Sequence, residues 1–374
     1  MTRVPLIDLA AQEEPIHGEA VRAIADAARE GSFILGARVE AFERWLAAAC
    51  GVSHAVGVGS GTDAIELALR ALGVGPGDAV ITPALSFVAS AEAIVTTGAR
   101  PVFCDVDFET LNLTEAAVAE SLARARARGL RARAILPVHL FGLCGPLQIL
   151  RRLAAGEGLW LVEDAAQAFG ARDEQGGPAG SAGDAGCFSF FPTKNLGAWG
   201  DAGAVVTSNE AIALRVRSLR AHGAVAPYVH AEAGRNSRLD AVQAAVLMVK
   251  APHVERWAAA RDALASRYRA GLHEQPLHLP EPPAPPARHG WHAFVVRTAR
   301  RDALAAWLRG RGIDTRVYYP VPLHRQPCFA SLDEPAMPVA EDDCRTALAL
   351  PFFPAMSEAQ QERVIRAVRE FFAR

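Results

Sequence analysis

Between residues 54 and 207 short apolar runs alternate with stretches of helical periodicity, and this alternation constrains the fold more than any other feature. Residues 54–59 (HAVGVG), 79–82, 101–106, 134–139 (AILPVH) and 159–164 (LWLVED) read as strands. Residues 62–72, 86–97, 114–128 and 145–155 read as helices. In the first of these, Ile65, Ala68, Leu69 and Leu72 recur at helical spacing. Near-continuous apolar strands separated by helices suit a mostly parallel sheet covered on both faces. Residues 187–191 and 203–207 supply two more strands.

The pattern changes after about residue 208. Two helical stretches, 240–250 and 254–271, lead away from the sheet. A proline-dense segment follows at 275–287 (QPLHLPEPPAPPA). Prolines cannot donate to a ladder, so it reads as a stiff connecting loop. A strand (292–298), a helix (302–311), a second strand (315–319) and a terminal helix (357–372) then make a small α+β unit. The expected class is α/β, with a large domain at 1–250 and a smaller one at 251–374. A length of 374 residues accommodates both.

Composition narrows the function. Hydrophobic residues make up 51% and charged residues 21%, which permits a large core and excludes global disorder. A net charge of −2 provides no global basic field, which argues against a nucleic-acid or membrane-surface binder. The longest apolar runs are broken by Gly, Pro or charge, so no bilayer span is expected. The first fifteen residues show no secretory pattern. Cys50, Cys104, Cys144, Cys187, Cys328 and Cys344 are far apart, with no Cys-x-x-Cys and no zinc spacing. Free thiols and a cytoplasmic location are therefore expected, with no bound metal. The basic run from Arg124 to Arg133 reads as a solvated helix end, because no aromatic residues interleave it.

Three features fall where an α/β sheet places a site, at the carboxyl ends of strands. Gly59-Ser60-Gly61-Thr62-Asp63 joins a strand to a helix, and its glycines and free N–H groups suit an anion. An ordinary helix cap reads the same way. Glu163-Asp164-Ala165-Ala166-Gln167 ends the LWLVED strand. Glu163 and Asp164 point to opposite faces, so they are poor candidates for a paired acid and base. A buried Asp164 needs a partner, either a cationic ring nitrogen or a loop N–H. In Ser189-Phe-Phe-Pro-Thr-Lys194-Asn195 a lysine follows an aromatic strand and a Pro turn, a dry setting that suits Schiff-base chemistry. Phosphate cradle, acid and lysine in this order are what pyridoxal 5′-phosphate requires, and Phe87 supplies a flat apolar face for its ring.

Read together, SGTDA (60–64), GDAVITPALSFVAS (77–90), GARPVFCDVD (98–107), PVHLFG (137–142), EDAAQAFGA (163–171), FSFFPTKNLGAWGDAGA (188–204), GRNSRLDAVQAA (234–245) and YYPVPLH (318–324) resemble the DegT/StrS family of PLP-dependent sugar aminotransferases, which have the aspartate aminotransferase-like fold. The likeness runs from Gly31 to Pro354. It implies that Lys194 bonds the cofactor and moves the proton, that Asp164 partners the pyridinium and that Gln167 lies beside the ring hydroxyl. Phe87 would stack on the ring, and Gly61, Thr62 and Ser189 would hold the phosphate. Asn236 would reach the phosphate of a partner subunit, implying a homodimer with shared sites. Tyr319 and His324 would face substrate. The resemblance further implies transfer of an amine from L-glutamate to a keto group, at C3 or C4, of a nucleotide-linked sugar. Alternatives are a cyclitol-type ketone as acceptor, or a PLP-binding regulatory protein on the same fold. The sequence departs from many relatives at Leu143-Cys-Gly-Pro146 and at Trp291-His-Ala-Phe294, which argues against borrowing a relative's sugar specificity.

Overall fold

Valine and alanine are the commonest residues in the strands of this chain, and the computed structural model, which describes residues 3–374, gathers seven of those strands into one sheet. Helices α1 (Leu9–Glu13), α2 (His17–Arg29) and α3 (Ala37–Ala49) precede it. Strand and helix then alternate as β1 (His54–Val58), α4 (Gly61–Ala71), β2 (Asp78–Pro83), α5 (Ala89–Thr96), β3 (Arg100–Cys104), α6 (Glu115–Ala127), β4 (Arg131–Ile135), α7 (Leu147–Glu157) and β5 (Trp160–Asp164). Strands β6 (Ala185–Ser189) and β7 (Gly203–Thr207) complete the sheet. Helix α8 (Glu210–Leu219), a hairpin of β8 (Ala224–Ala226) and β9 (Val229–His230), and helices α9 (Ala241–Lys250) and α10 (Val254–Leu272) follow. The chain ends with β10 (Phe294–Arg297), α11 (Arg301–Arg309), α12 (Pro338–Thr346), β11 (Ala347–Leu350) and α13 (Glu358–Phe372).

The sheet order is β1-β7-β6-β5-β4-β2-β3. Strand β7 is antiparallel to both neighbours, and every other pairing is parallel. Alternating residues serve opposite layers. Val80 of β2 and Val162 of β5 pack with Ile65 and Leu69 of α4. Their neighbours Ile81 and Leu161 pack with Leu122 of α6 and Leu150 of α7. Apolar side chains on both faces explain why these runs lack a polar alternation. The parallel strands aim their carboxyl ends at one edge, where the turns into α4 and α5 also lie.

The C-terminal layer pairs β10 with β11, antiparallel, against α10, α11 and α13. Tyr268, Phe294, Leu348 and Val364 form its core. A capping box starts α13: Ser357 Oγ accepts from Gln360 N at 3.2 Å, and Gln360 Oε1 accepts from Ser357 N at 2.8 Å. Val4 also joins this cluster, donating to Gly312 O at 2.8 Å, so the first described residues pack with the small unit. The expected 1–250 unit had included them.

Other local differences have physical reasons. The strand expected at 134–139 is β4, at Arg131–Ile135. Pro137 has no N–H to donate, and beyond β4 only Val138 bridges Asp164. The strand expected at 315–319 is absent; Arg316 makes a single bridge to Ala349 before Pro320. The basic run is not merely solvated. Arg124 and Arg128 pair with the buried Glu334, and Arg131 pairs with Asp78 at 2.6 Å. All six cysteines are free thiols. Among the described residues no helix is long and apolar enough to cross a membrane, and no cluster of potential metal ligands occurs.

Candidate active site

Glycine at position 61 allows two elements to meet. A Cβ there would lie 2.6 Å from the Cβ of Ser189, so the start of α4 and the end of β6 touch only because that Cβ is missing. Ser60 caps the helix, its Oγ accepting from Asp63 N at 3.1 Å. Ser60, Gly61, Thr62 and Ser189 thus form one wall of a cavity of about 390 Å³, with the positive end of the helix dipole directed into it.

The carboxyl end of β5, the parallel neighbour of β6, lines the same cavity. Asp164 is 4% exposed. Its Oδ2 accepts from Ser90 Oγ at 2.7 Å, and its Oδ1 accepts from Ala166 N at 3.1 Å. Ser90 is in turn 2.7 Å from Ser86 Oγ. Two hydrogen bonds leave lone pairs of this buried carboxylate for a cationic partner in the cavity. Glu163 points to the other face, as strand alternation requires. It accepts from Gly180 N, Ala182 N and Gly183 N at 2.6–2.8 Å, and lies 2.8 Å from His139 Nε2. It holds the 180–183 turn and takes no part in the cavity.

Lys194 sits in a tight turn after β6. Its N–H donates to Phe191 O, and a Cβ at Gly197 would lie 2.3 Å from Pro192 O. Buried Lys250 braces the turn by donating to Gly197 O at 2.7 Å while pairing with Glu13. Among the described residues the Lys194 amine has no hydrogen-bond or ion-pair partner. Burial pushes its pKa down to about 8, against the opposing pull of Asp164. Roughly half of such amines are neutral nucleophiles at pH 8.

The remaining lining fixes orientation. Gln167 Oε1 accepts from Phe141 N at 2.8 Å, which turns its Nε2 toward Tyr319 OH, 3.0 Å away. Phe87 is 54% exposed, with its ring centroid 6.1 Å from that of Tyr319. Of the residues singled out in the sequence, Gly61, Thr62, Phe87, Asp164, Gln167, Ser189, Lys194 and Tyr319 line one cavity. Two expected residues lie outside it. Asn236 is exposed, beyond the lining of its own chain's cavity. Its neighbour Arg235 is committed to Glu66 and Asp63 of the same chain. His324 is buried against Glu341, with its Nε2 2.9 Å from Oε1, and does not reach the cavity.

Among the lining residues that sequence reasoning missed are Ser86, Ser90, His292 and Arg316. Ser86 and Ser90 carried only an i,i+4 spacing. His292 lay in a stretch noted only as a departure from relatives. Burial holds its imidazole well below the usual histidine range, helped by the positive charges of Lys194 and Arg261, so it is neutral. Arg316 lay inside a strand that does not form. The arrangement offers an anion site, a buried carboxylate for a cation, and a partnerless amine, all on one cavity.

Residues 15–369 match the model of the DegT/DnrJ/EryC1/StrS aminotransferase family. A Streptomyces venezuelae protein named dTDP-3-amino-3,4,6-trideoxy-α-D-glucose transaminase is 45% identical over 375 residues, covering 100% of this chain and 97% of that protein. A Geobacillus stearothermophilus protein named pleiotropic regulatory protein is 42% identical over 373 residues, covering 99% and 98%. The crystal structure of S. venezuelae DesV in complex with a ketimine intermediate superposes with a TM-score of 0.95 at 45% identity, covering 100% of both chains.

Proposed function

The chain belongs to the DegT/DnrJ/EryC1/StrS aminotransferase family, and from that premise we propose that it moves an amine from L-glutamate to a keto group of a nucleotide-linked sugar. It is a transaminase with pyridoxal 5′-phosphate as cofactor. The name of the 45% identical relative places an amine at C3, and we take C3 ahead of C4 for this chain. The observation that carries the reading is the partnerless Lys194 amine, shifted to about 8, in one cavity with Asp164 and the capped start of α4.

The residues present fit the cofactor. The close approach that Gly61 permits leaves a cradle for a phosphate, Asp164 has unspent lone pairs, and Phe87 presents an exposed face. When bound, pyridoxal phosphate supplies an electron sink for the carbon that exchanges the amine. In our assignment Gly61, Thr62 and Ser189 hold its phosphate, joined by Asn236 of a second copy in a homodimer. Asp164 keeps the ring nitrogen protonated. Phe87 stacks on the ring, and Gln167, fixed by Phe141 N, orients beside its hydroxyl. Lys194 Nζ would bond the cofactor at rest and, once freed, would hold or move the proton of the reacting carbon. Tyr319, anchored by Gln167, faces the substrate. One site serves donor and acceptor in turn, so the kinetics are ping-pong.

The test is spectroscopic. Incubation of the purified protein with L-glutamate bleaches its visible band, and a panel of 3-keto and 4-keto nucleotide sugars follows. A sugar that restores the band identifies the acceptor. Restoration by a cyclitol ketone and by no sugar overturns the acceptor assignment. Failure of glutamate to bleach the protein overturns the donor assignment. Absence of turnover with every amino donor favours the regulatory reading suggested by the name of the 42% identical relative.

A further inference from the structure

Arg316 lines the cavity that holds Lys194, and it is exposed there. Its backbone is fixed: Arg316 N donates to Ala349 O at 3.2 Å, and Ala349 N donates back to Arg316 O at 2.7 Å. The side chain therefore starts from a backbone held against buried β11. Among the described residues it has no hydrogen-bond, ion-pair or ring partner. Neighbouring arginines of the small unit are engaged: Arg297 donates to Phe108 O at 2.5 Å, and Arg325 pairs with Glu341 at 3.0 Å. Arg316 and Lys194 are the only Arg or Lys residues in the lining. Asp201, an exposed carboxylate on the same rim, does not come within ion-pair distance of Arg316.

The inference rests on the proposed function in one respect, that Lys194 is occupied by the cofactor. Arg316 is then the one cationic side chain of the lining left for substrate. Both substrates of a ping-pong sugar transaminase are anionic. The amino acid carries carboxylates and the nucleotide sugar carries a diphosphate. A guanidinium fork binds either oxyanion through paired N–H donors, and an unpaired one at a cavity mouth loses little on doing so. We infer that Arg316 anchors a substrate oxyanion at the mouth of the cavity, and so sets which substrates are held long enough to react.

Calorimetric titration of the holoenzyme separates the two sources. Glutarate, an unreactive dicarboxylate, probes the donor, and dTDP probes the nucleotide. In Arg316→Ala, Kd rises about ten-fold or more for glutarate, for dTDP or for both, with Arg316→Lys intermediate. The probe that weakens names the source, and weakening of both means one anchor serves the substrates in turn. The KM of the matching substrate rises by the same factor while kcat stays within a few fold. An unchanged visible spectrum and Tm establish that the variant folds and is loaded, and Arg316→Gln replaces it if they change. Both Kd values within two-fold of wild type overturn the inference. So does a wild-type holoenzyme that binds neither probe. Should no keto-sugar be accepted, the acceptor reading fails on its own, and the glutarate arm still decides Arg316.

Discussion

Lys194 illustrates a residue whose chemistry costs stability. Its amine is shifted from 10.5 to about 8, chiefly by burial, so the folded apoprotein holds that proton less tightly than the unfolded chain does. Stability then rises with pH between about 8 and 10.5, and the full cost applies below 8. Lys194→Met should therefore stabilise the apoprotein at pH 7 by on the order of 1–3 kcal/mol, with the gain fading as pH approaches 10.5. Thermal denaturation of both apoproteins at pH 7 and pH 10 checks this, and an equal gain at both values would contradict the burial argument. Transamination is abolished in the same variant. Asp164→Asn keeps the geometry but removes the charge. It should cost about 3 kcal/mol in the barrier, roughly a hundredfold in kcat, with Tm little changed. Near-normal turnover would remove Asp164 from its assigned role. Both residues were legible in the sequence because strand ends collect function in parallel sheets. Ser90 and Arg316 were not, because serines and arginines are common on surfaces and neither position carried a distinguishing neighbour.

At the scale of elements, the junction of α4 with β6 is the most constrained part of the site. Gly61→Ala places a methyl against Ser189, with Cβ to Cβ 2.6 Å and Cβ to Cα 3.2 Å. Backbone must shift, at a cost of about 1–3 kcal/mol, and the cradle opens. Cofactor affinity should fall at least ten-fold, as read by the return of the visible band on titrating apoprotein. Adding Ser189→Gly removes the worst contact and should recover part of that loss; no recovery would place the effect elsewhere. The elements themselves were largely legible, because their signal is local. The helix expected at 114–128 is Glu115–Ala127, with Thr114 as its cap, and the terminal helix begins at its capping box. What the sequence hid was tertiary. Residues 315–319 have β-type composition, but Pro320 and a single partner strand leave them one bridge. The arginine run looks solvated until Glu334, some 200 residues later, folds beneath it.

At the scale of the molecule, one chain presents a cavity whose expected phosphate ligand Asn236 is missing from the lining. The reason is visible in how its segment is held. Ser237 Oγ donates to Asp63 at 2.9 Å and accepts from Gly59 N at 3.0 Å, and Arg235 is tied to Glu66. The segment is therefore fastened behind its own cradle, with Asn236 exposed. Fastening of this kind holds the backbone beside an exposed Asn236, and in the proposed two-fold dimer any exchange of this side chain would be reciprocal. Each site would then combine Lys194 of one subunit with Asn236 of the other. Lys194→Ala chains alone and Asn236→Ala chains alone should both be nearly inactive. When the two are mixed, unfolded and refolded together in equal amounts, half the dimers are hybrids. In each hybrid one site carries both lesions and the other carries neither. Activity should return to roughly a quarter of wild type, since half the dimers each regain one of two sites. Tagging the two chains differently and purifying the hybrids raises this to about half. Verified hybrids with no recovered activity, or a fully active monomer by light scattering at assay concentration, would leave Asn236 as a loop residue and require each chain to hold its phosphate alone.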